Sequence, residues 1–305
     1  MSPQSPESLQ SPQSPQSPPS LPFLVGFDGS PRSLAAARWA AREARSAGVP
    51  LRLLNVGQAW PKIQPISPEF EPVLGESVTA SMALLATVAD GLRSAHPGLI
   101  VETVTVEGGP GSELPRAAAG AQLLVVGASG HHHHVVPLLG STALTVAGRT
   151  GIPVVLVRET DEHPHRGQGV VVGVDPDGDY GLVLEFAYAW AAVHGLPLRA
   201  VHAGEAAGQA SLEAAVAEAS ARHPAVPTTC VSRPGDAADV LVDESATADL
   251  LVVGRRHHRP LHGLGPTDHA VAHRARAPVA LIPHGQDAEG AGSGSRRPPD
   301  PADAP

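Results

Sequence analysis

Short runs of apolar residues recur along the chain and predict buried β-strands. In the first half, stretches long enough to form a helix separate these runs. Their ranges are Phe23–Phe27, Leu51–Val56, Leu123–Gly127 and Ile152–Val157. Continuous apolar runs separated by helical stretches are typical of a parallel sheet that helices cover on both faces. The first half is therefore predicted to be a doubly wound α/β domain.

The second half repeats this pattern. Its matching apolar runs are Val170–Val174, Leu198–Ala203, Leu250–Gly254 and Ala277–Ile282. In both halves an aspartate follows the first run, and the helical stretch after it contains a tryptophan, Trp39 or Trp190, which we expect to anchor the core. We predict two tandem domains, residues 21–158 and 169–284, joined by a polar linker over residues 159–168.

The two ends of the chain differ from the rest in composition. Residues 1–20 repeat Ser, Pro and Gln, and residues 285–305 are rich in Gly, Ser and Pro. Such segments bury too little apolar surface to offset their ordering entropy, so both are predicted to be disordered tails. The first segment also lacks the basic start and the apolar stretch of a secretory signal.

Composition and charge exclude several classes of protein. A net charge of −9 argues against a nucleic-acid partner, because phosphate binding needs clustered Lys and Arg. The single cysteine, Cys230, excludes a disulfide framework and a thiolate metal site, and it is expected to be a small buried apolar residue. No run of about 18 apolar residues occurs, so no membrane span is predicted. A cytoplasmic location is the simplest expectation.

The stretch over residues 124–142 carries the clearest chemical pattern. An apolar run leads into two glycines, and after nine further residues a third glycine precedes two hydroxyl residues. These residues are Gly127, Gly130, Gly140, Ser141 and Thr142. Glycines allow the backbone to approach an anion closely, and the first N–H groups of a helix have no partner within the helix. The pattern therefore predicts a phosphate-binding loop.

Residues at other predicted strand ends point to the same place. In a doubly wound sheet, ligands bind beyond the carboxyl ends of the strands, where the strand order reverses. Asp28, Val56 and Gly127 lie at the ends of three separate predicted strands. We expect these three residues to converge on one site.

Together these residues resemble the universal stress protein family in its tandem two-domain form. The resemblance covers about residues 21–158 and 168–284. The first half has the family's opening, which reads Val-Gly-Phe-Asp-Gly-Ser-Pro over residues 25–31, and the full glycine and serine spacing described above. The resemblance implies an adenine nucleotide alpha hydrolase-like fold and a bound ATP. Because dimers of this family pair their last strands, it also implies that the last runs, 154–157 and 279–282, pair within the chain and form an internal pseudo-dimer. It leaves AMP as an alternative ligand and Mg²⁺ as a companion ion.

The resemblance also implies roles for single residues. Gly26 and Asp28 would lie beside the adenosine, and Val56 would contact the adenine. The residues expected around the ribose and phosphates are Gly127, Gly130, Gly140, Ser141 and Thr142. Asp28 is in addition expected to cap the helix that follows it.

The second half departs from the pattern. Gly127 to Gly140 spans 13 positions, whereas Gly254 to Gly265 spans 11, and Pro266 replaces the serine. His257 stands where the second glycine is expected, and Asp268 would repel a phosphate. The basic cluster Arg255, Arg256 and Arg259 could compensate. We predict a degenerate second site, in which Asp175 is a helix cap and the domain acts as a structural partner.

Four adjacent histidines, His131 to His134, lie in the part of the loop that varies most within the family. Clustered imidazoles bind zinc or nickel, but adjacent histidines on a loop make a poorly organised site, so no physiological metal is predicted. A role in tuning nucleotide binding by pH is the alternative.

The function expected from the sequence is ATP binding for stress adaptation without catalysis. A slow ATPase or a nucleotidyl-transferring enzyme of the same superfold is one alternative. No P-loop lysine motif occurs in the chain, and Asp28 is the evident acidic residue for magnesium. A nucleotide-free interaction module is the other alternative. Association of two chains into a homodimer is left open.

Overall fold

The structure is a computed structural model that describes residues 20–57, 71–128, 141–158, 168–255 and 264–284. The first half contains β1 (Phe23–Gly26), α1 (Pro31–Ala47), β2 (Leu51–Gly57), α2 (Glu71–Ala95), β3 (Val101–Glu107), α3 (Pro110–Ala118), β4 (Leu123–Gly127), α4 (Ser141–Arg149) and β5 (Val154–Val157). The second half contains β6 (Val170–Gly173), α5 (Gly181–His194), β7 (Leu198–Ala203), α6 (Gln209–Arg222), β8 (Thr228–Arg233), α7 (Ala237–Glu244), β9 (Leu250–Arg255), α8 (Pro266–Arg274) and β10 (Val279–Pro283). Nearly all of the first predicted tail, the whole of the second and nearly all of the predicted linker lie outside the described residues.

The ten described strands form one sheet in the order β3-β2-β1-β4-β5-β10-β9-β6-β7-β8. All pairings within a half are parallel. Each half is doubly wound, because its strand order reverses beside its first strand, between β1 and β4 or between β6 and β9. The predicted α/β class and parallel pairing are thus confirmed.

The two halves meet where β5 and β10 pair in antiparallel orientation. Val279 lies opposite Leu156, and Leu281 lies opposite Val154. These are the strands whose pairing the sequence predicts. Their side chains are fully buried, so the junction continues the core of both halves without an exposed edge.

Two buried arginines also connect the halves. Arg158, directly after β5, donates from Nη1 to the carbonyl oxygen of Ala277 at 3.0 Å and from Nη2 to that of Ala272 at 2.5 Å. Arg255, at the end of β9, donates from Nη2 to the carbonyl oxygen of Thr150 at 2.5 Å. Each guanidinium therefore reaches into the half to which it does not belong.

The core has two layers, one on each face of the sheet. Helices α1, α2, α5 and α6 cover one face, represented by Trp39, Leu85, Leu184 and Leu212. Helices α3, α4, α7 and α8 cover the other face, represented by Leu114, Val146, Leu241 and Val271. Most core side chains are Val, Leu and Ala, as expected for a chain with 3% aromatic residues.

The two tryptophans stack on each other at the contact between α1 and α5. The ring centroids of Trp39 and Trp190 are 5.4 Å apart, and the ring planes differ by 5°. Close by, His194 Nε2 lies 2.9 Å from the buried carboxylate of Glu43. Both tryptophans are buried, which confirms them as core anchors, and they anchor the contact between the halves.

The edge strand β3 is absent from the strands predicted above. Its first residue is buried and most of the others are exposed, because β3 pairs with β2 alone. An edge strand of this kind lacks the continuous apolar run that marks the central strands. Among the helices that the structure describes, none has the length and apolarity to cross a membrane.

Candidate nucleotide site

A cleft of about 220 Å³ opens at the carboxyl end of β1 and β4, where the strand order of the first half reverses. Among the predicted site residues, Gly26, Asp28, Val56, Gly127 and Thr142 all line this cleft. They come from three strand ends and one helix start. The structure therefore brings together every predicted site residue whose side-chain surroundings it describes.

The turn between β1 and α1 holds Asp28 in place. The backbone N–H of Ser30 donates to Asp28 Oδ1 at 2.9 Å, and the N–H of Asp28 donates to Ser33 Oγ at 3.4 Å. The N-cap of α1 is Ser30, whose Oγ accepts from the Ser33 N–H at 3.2 Å, and Pro31 begins the helix. The prediction that Asp28 caps α1 is wrong, because its carboxylate closes the turn two residues earlier.

The pKa of Asp28 lies below its ordinary value. Partial burial alone would raise this pKa, but hydrogen bonds from Ser30 and Ser33 favour the carboxylate and outweigh the burial. Asp28 is therefore ionised at neutral pH. A carboxylate at this position can accept hydrogen bonds from the hydroxyl groups of a ribose.

Gly127 is required by the close approach of α1. A Cβ atom at this position would lie 2.6 Å from the backbone carbon of Arg32 and 2.7 Å from its oxygen. Only a residue without a side chain allows the first turn of α1 to pack against the end of β4. This glycine thus places Arg32, which also lines the cleft, beside the strand ends.

Helix α4 starts at the two predicted hydroxyl residues. It spans Ser141–Arg149, has no acidic residue in its first turn, and presents Thr142 to the cleft. A helix N-terminus carries about half a positive charge, which favours an anion. Gly130, Gly140 and the histidine run over 131–134 lie outside the described residues, so their predicted roles stay predictions.

Sequence reasoning missed several residues of this cleft. They include Ser30, Arg32, Ser33, Leu54, Leu114 and Ala143. For Ser30 a usable pattern exists, because a serine before a proline and an Ala-rich run is typical of a helix start. Leu114 and Ala143 come from α3 and α4, and only the packing of these helices shows that they face the cleft.

Comparison with known proteins decides the family. The universal stress protein family model matches residues 21–158 and 203–283. The chain belongs to the universal stress protein family. A universal stress protein of Mycobacterium tuberculosis is 32% identical over 287 residues, which cover 85% of this chain and 95% of that protein. One from Mycolicibacterium smegmatis is 30% identical over 282 residues, covering 85% and 96% of the two chains.

Solved structures agree on the fold. A universal stress protein of Archaeoglobus fulgidus superposes with a TM-score of 0.71 at 20% identity, covering 87% of this chain and 99% of that chain. A universal stress protein from Pseudomonas aeruginosa gives a TM-score of 0.56 at 17% identity, covering 89% and 95%. These likenesses show the universal stress protein fold across both halves of the chain.

This universal stress protein has a second cleft, of about 380 Å³, at the equivalent place in its second half. Asp175, Gly254, Thr267 and Asp268 are among its lining residues. The prediction that Asp175 caps α5 is wrong. The N-cap of α5 is Tyr180, which makes no side-chain cap, whereas Asp175 Oδ1 accepts from the Asp177 N–H at 3.2 Å.

The single cysteine of this family member carries a weakly acidic thiol. Burial, reinforced by the carboxylate of Glu213, raises the pKa of the Cys230 thiol, so it stays protonated at neutral pH. Cys230 is half-buried and packs against the core. Among the described residues, no three His, Cys, Asp or Glu side chains are grouped to hold a metal ion.

Proposed function

We propose that this universal stress protein binds an adenine nucleotide, with ATP as its ligand, in the first cleft. The observation that carries the proposal is the convergence of Gly26, Asp28, Val56, Gly127 and Thr142 on one cavity. These residues lie far apart in the sequence and meet where doubly wound sheets bind ligands.

Each side of the cleft fits one part of a nucleotide. Leu54 and Val56, at the end of β2, offer an aliphatic surface to the planar base. The ionised Asp28 accepts hydrogen bonds from the ribose hydroxyls. Thr142 and the N-terminus of α4 face the phosphates, and Arg32 adds a positive charge at the rim.

The same lining argues for binding without turnover. Among the lining residues that the structure describes, the ionisable side chains are Asp28 and Arg32. Metal-assisted hydrolysis usually relies on several carboxylates, and general base catalysis relies on a positioned basic group. Mg²⁺ would enter with the phosphates, and Asp28 is the carboxylate able to contact it. We therefore propose a regulatory role in stress adaptation, with ATP as the sensed ligand.

Calorimetric titration of ATP into the full chain tests this proposal. Val56→Trp should fill the first cleft and weaken ATP binding by about a hundredfold or more. Ala203→Trp is the matched control. Ala203 lies at the end of β7, Val56 lies near the end of β2, and Ala203 lines the second cleft. ATP binding that survives Val56→Trp and disappears in Ala203→Trp would overturn the assignment.

A turnover assay on the same samples separates the alternatives. Binding without release of phosphate or AMP supports the proposal, whereas turnover that Val56→Trp abolishes would assign the chain to the enzymes of this superfold. Absence of ATP binding would leave a nucleotide-free interaction module. Mass spectrometry of co-purified nucleotide should show its loss in Gly140→Asp, which places a carboxylate in the predicted phosphate-binding loop.

A further inference from the structure

The second cleft keeps the position of the first and changes its chemistry. β1 begins at Phe23 and β6 at Val170, and the helices after them end at the left-handed glycines Gly48 and Gly195. Both pairs of positions are 147 residues apart. Between the first and second strands of the two halves, residues at this spacing therefore correspond.

This correspondence reveals a reversal of charge at the rim. Arg32, the cationic lining residue of the first cleft, corresponds to Asp179, which lines the second. Helix α5 begins at Gly181 and α1 at Pro31, so the segment that forms the first turn of α1 is a loop in the second half. The second cleft has an acidic loop where the first has the start of a helix.

A second change lies at the helix that would face a phosphate. Helices α4 and α8 both have nine residues, so Ser141 corresponds to Pro266, and the buried Ala143 corresponds to Asp268. Pro266 lacks a backbone N–H. Asp268 lies in the first turn of α8 and is 7% exposed. Its carboxylate compensates the positive end of the helix from within the protein, which leaves less to attract an anionic ligand.

The described lining of the second cleft therefore contains three carboxylates and no Lys or Arg. The carboxylates belong to Asp175, Asp179 and Asp268. A phosphate would meet Asp179 and Asp268, which have no carboxylate counterpart in the first cleft, and in a partly desolvated cleft like charges repel each other strongly. Arg256 and Arg259 lie outside the described residues, and titration of the full chain includes their charges.

The rest of the cleft suits an uncharged ligand with hydroxyl groups. Val174, Val201 and Ala203 form an apolar floor, as their one aromatic and two aliphatic counterparts do in the first cleft. Carboxylates accept hydrogen bonds from a ribose diol. His284 Nε2 is buried with no hydrogen-bond partner among the described residues, and its Nδ1 lies 3.8 Å from Asp179 Oδ2. The His284 ring therefore adds a polar wall to the cleft beside Asp179.

We propose that the second cleft binds an unphosphorylated purine nucleoside, adenosine, and rejects its phosphorylated forms. The choice of adenine rests on the proposed function, because the second cleft repeats the apolar base-binding surface of the first. The rejection of phosphate rests on Asp179, Pro266 and Asp268 alone. The chain would then hold ATP in one half and the free nucleoside in the other.

Titration of adenosine and AMP into Val56→Trp tests the second cleft, since this variant fills the first. Adenosine should bind about tenfold or more tightly than AMP, a difference of about 1.4 kcal/mol. AMP that binds as tightly as adenosine, or adenosine that does not bind, would overturn the proposal. Ala203→Trp should lose the adenosine binding that Val56→Trp retains, and it should still bind ATP.

A measurement on the unmodified chain guards against misfolded variants. With ATP present at saturation, adenosine should still bind, because the two ligands occupy different clefts. Complete displacement of adenosine by ATP would overturn the inference.

The double variant Asp179→Arg with Asp268→Ala restores the residue types of the first cleft and should reduce the preference for adenosine over AMP. An unchanged preference would contradict the role of these carboxylates.

Failure of the inference and failure of the proposed function give different results. ATP binding in Ala203→Trp reports on the first cleft alone. Adenosine and AMP binding in Val56→Trp report on the second cleft alone. If Ala203→Trp binds ATP and Val56→Trp does not bind adenosine, the proposed function stands and the inference about the second cleft is wrong.

Discussion

The two clefts of this universal stress protein lie at equivalent strand ends of the two halves and differ in their charges. Asn55 Nδ2 donates to the carbonyl oxygen of Phe27 at 2.9 Å, and at the corresponding positions His202 Nδ1 lies 3.1 Å from that of Val174. The strand ends are thus tied together in the same way. The differences are concentrated at the starts of the helices that close each cleft. The fold places a binding cavity at the switch point, and a few residues at helix starts decide what it accepts.

The largest expected effect concerns the glycines at the ends of β4 and β9. Gly127→Ala should lower the free energy of unfolding by about 1–3 kcal/mol, because the new Cβ meets the backbone of Arg32 at 2.6 Å. Gly254→Ala is the control and should cost less than about 1 kcal/mol, because its Cβ meets only side-chain atoms of Val183 and His284, at 3.1 Å or more. Urea denaturation measures both. Equal costs would contradict the tighter packing of the first half.

The next effect concerns the charge at the rim of the first cleft. Arg32→Asp gives the first cleft the residue of the second and should weaken ATP binding by about tenfold at low salt. The effect should shrink as salt is added, because Arg32 is exposed. Arg38→Asp is the matched control, since this exposed residue of α1 is absent from the described lining. A similar loss in both variants would show that only net charge matters.

A smaller effect is expected where the two helix starts differ. Ser30→Ala should destabilise the protein by about 1 kcal/mol, because it removes the side chain that caps α1. The corresponding Asp177→Ala should change stability by less than about 0.5 kcal/mol, since α5 begins later and has no side-chain cap. Thermal unfolding of both variants compares them. A cost at Asp177 as large as that at Ser30 would be evidence against this difference.

The smallest effect is a dependence of stability on pH. The folded pKa of Asp28 is below its unfolded value, so its ionised form stabilises the fold above that unfolded value, which is about 3.8. This contribution should disappear as the pH falls through the folded pKa. The difference in unfolding free energy between the wild type and Asp28→Asn should therefore narrow as the pH is lowered from 7 towards 3. A difference that widens with acid would contradict the lowered pKa.

The central strands and the first cleft were predictable from the sequence. Buried parallel strands appear as continuous apolar runs, and the glycine spacing after Leu123–Val126 marked the strand end that lines the cleft. The edge strand β3 was not predicted, because only one of its faces is covered and its residues are mostly exposed. The helix caps were misassigned for a different reason. An aspartate after a strand can cap a helix or close a turn, and only the backbone path after Asp28 and Asp175 distinguishes them.

The chemistry of the second cleft was predictable only in part. The loss of the glycine and serine pattern indicated that phosphate would be disfavoured there. The sequence did not reveal that a cavity larger than the first remains. Its size depends on how helices α5, α7 and α8 pack around the strand ends. The correspondence of Arg32 with Asp179 also needed the strand register, because α1 and α5 begin at different positions.

The antiparallel junction of β5 and β10 has a consequence for dividing the gene. A cut in the segment between Arg158 and Gly169 would yield two fragments, each with a bare apolar strand at one side of its sheet. The cut would also leave each fragment with a buried arginine whose acceptor carbonyl groups belong to the other fragment. Co-expressed fragments should therefore reassemble, which makes this chain a natural scaffold for a split reporter whose reconstitution restores both clefts.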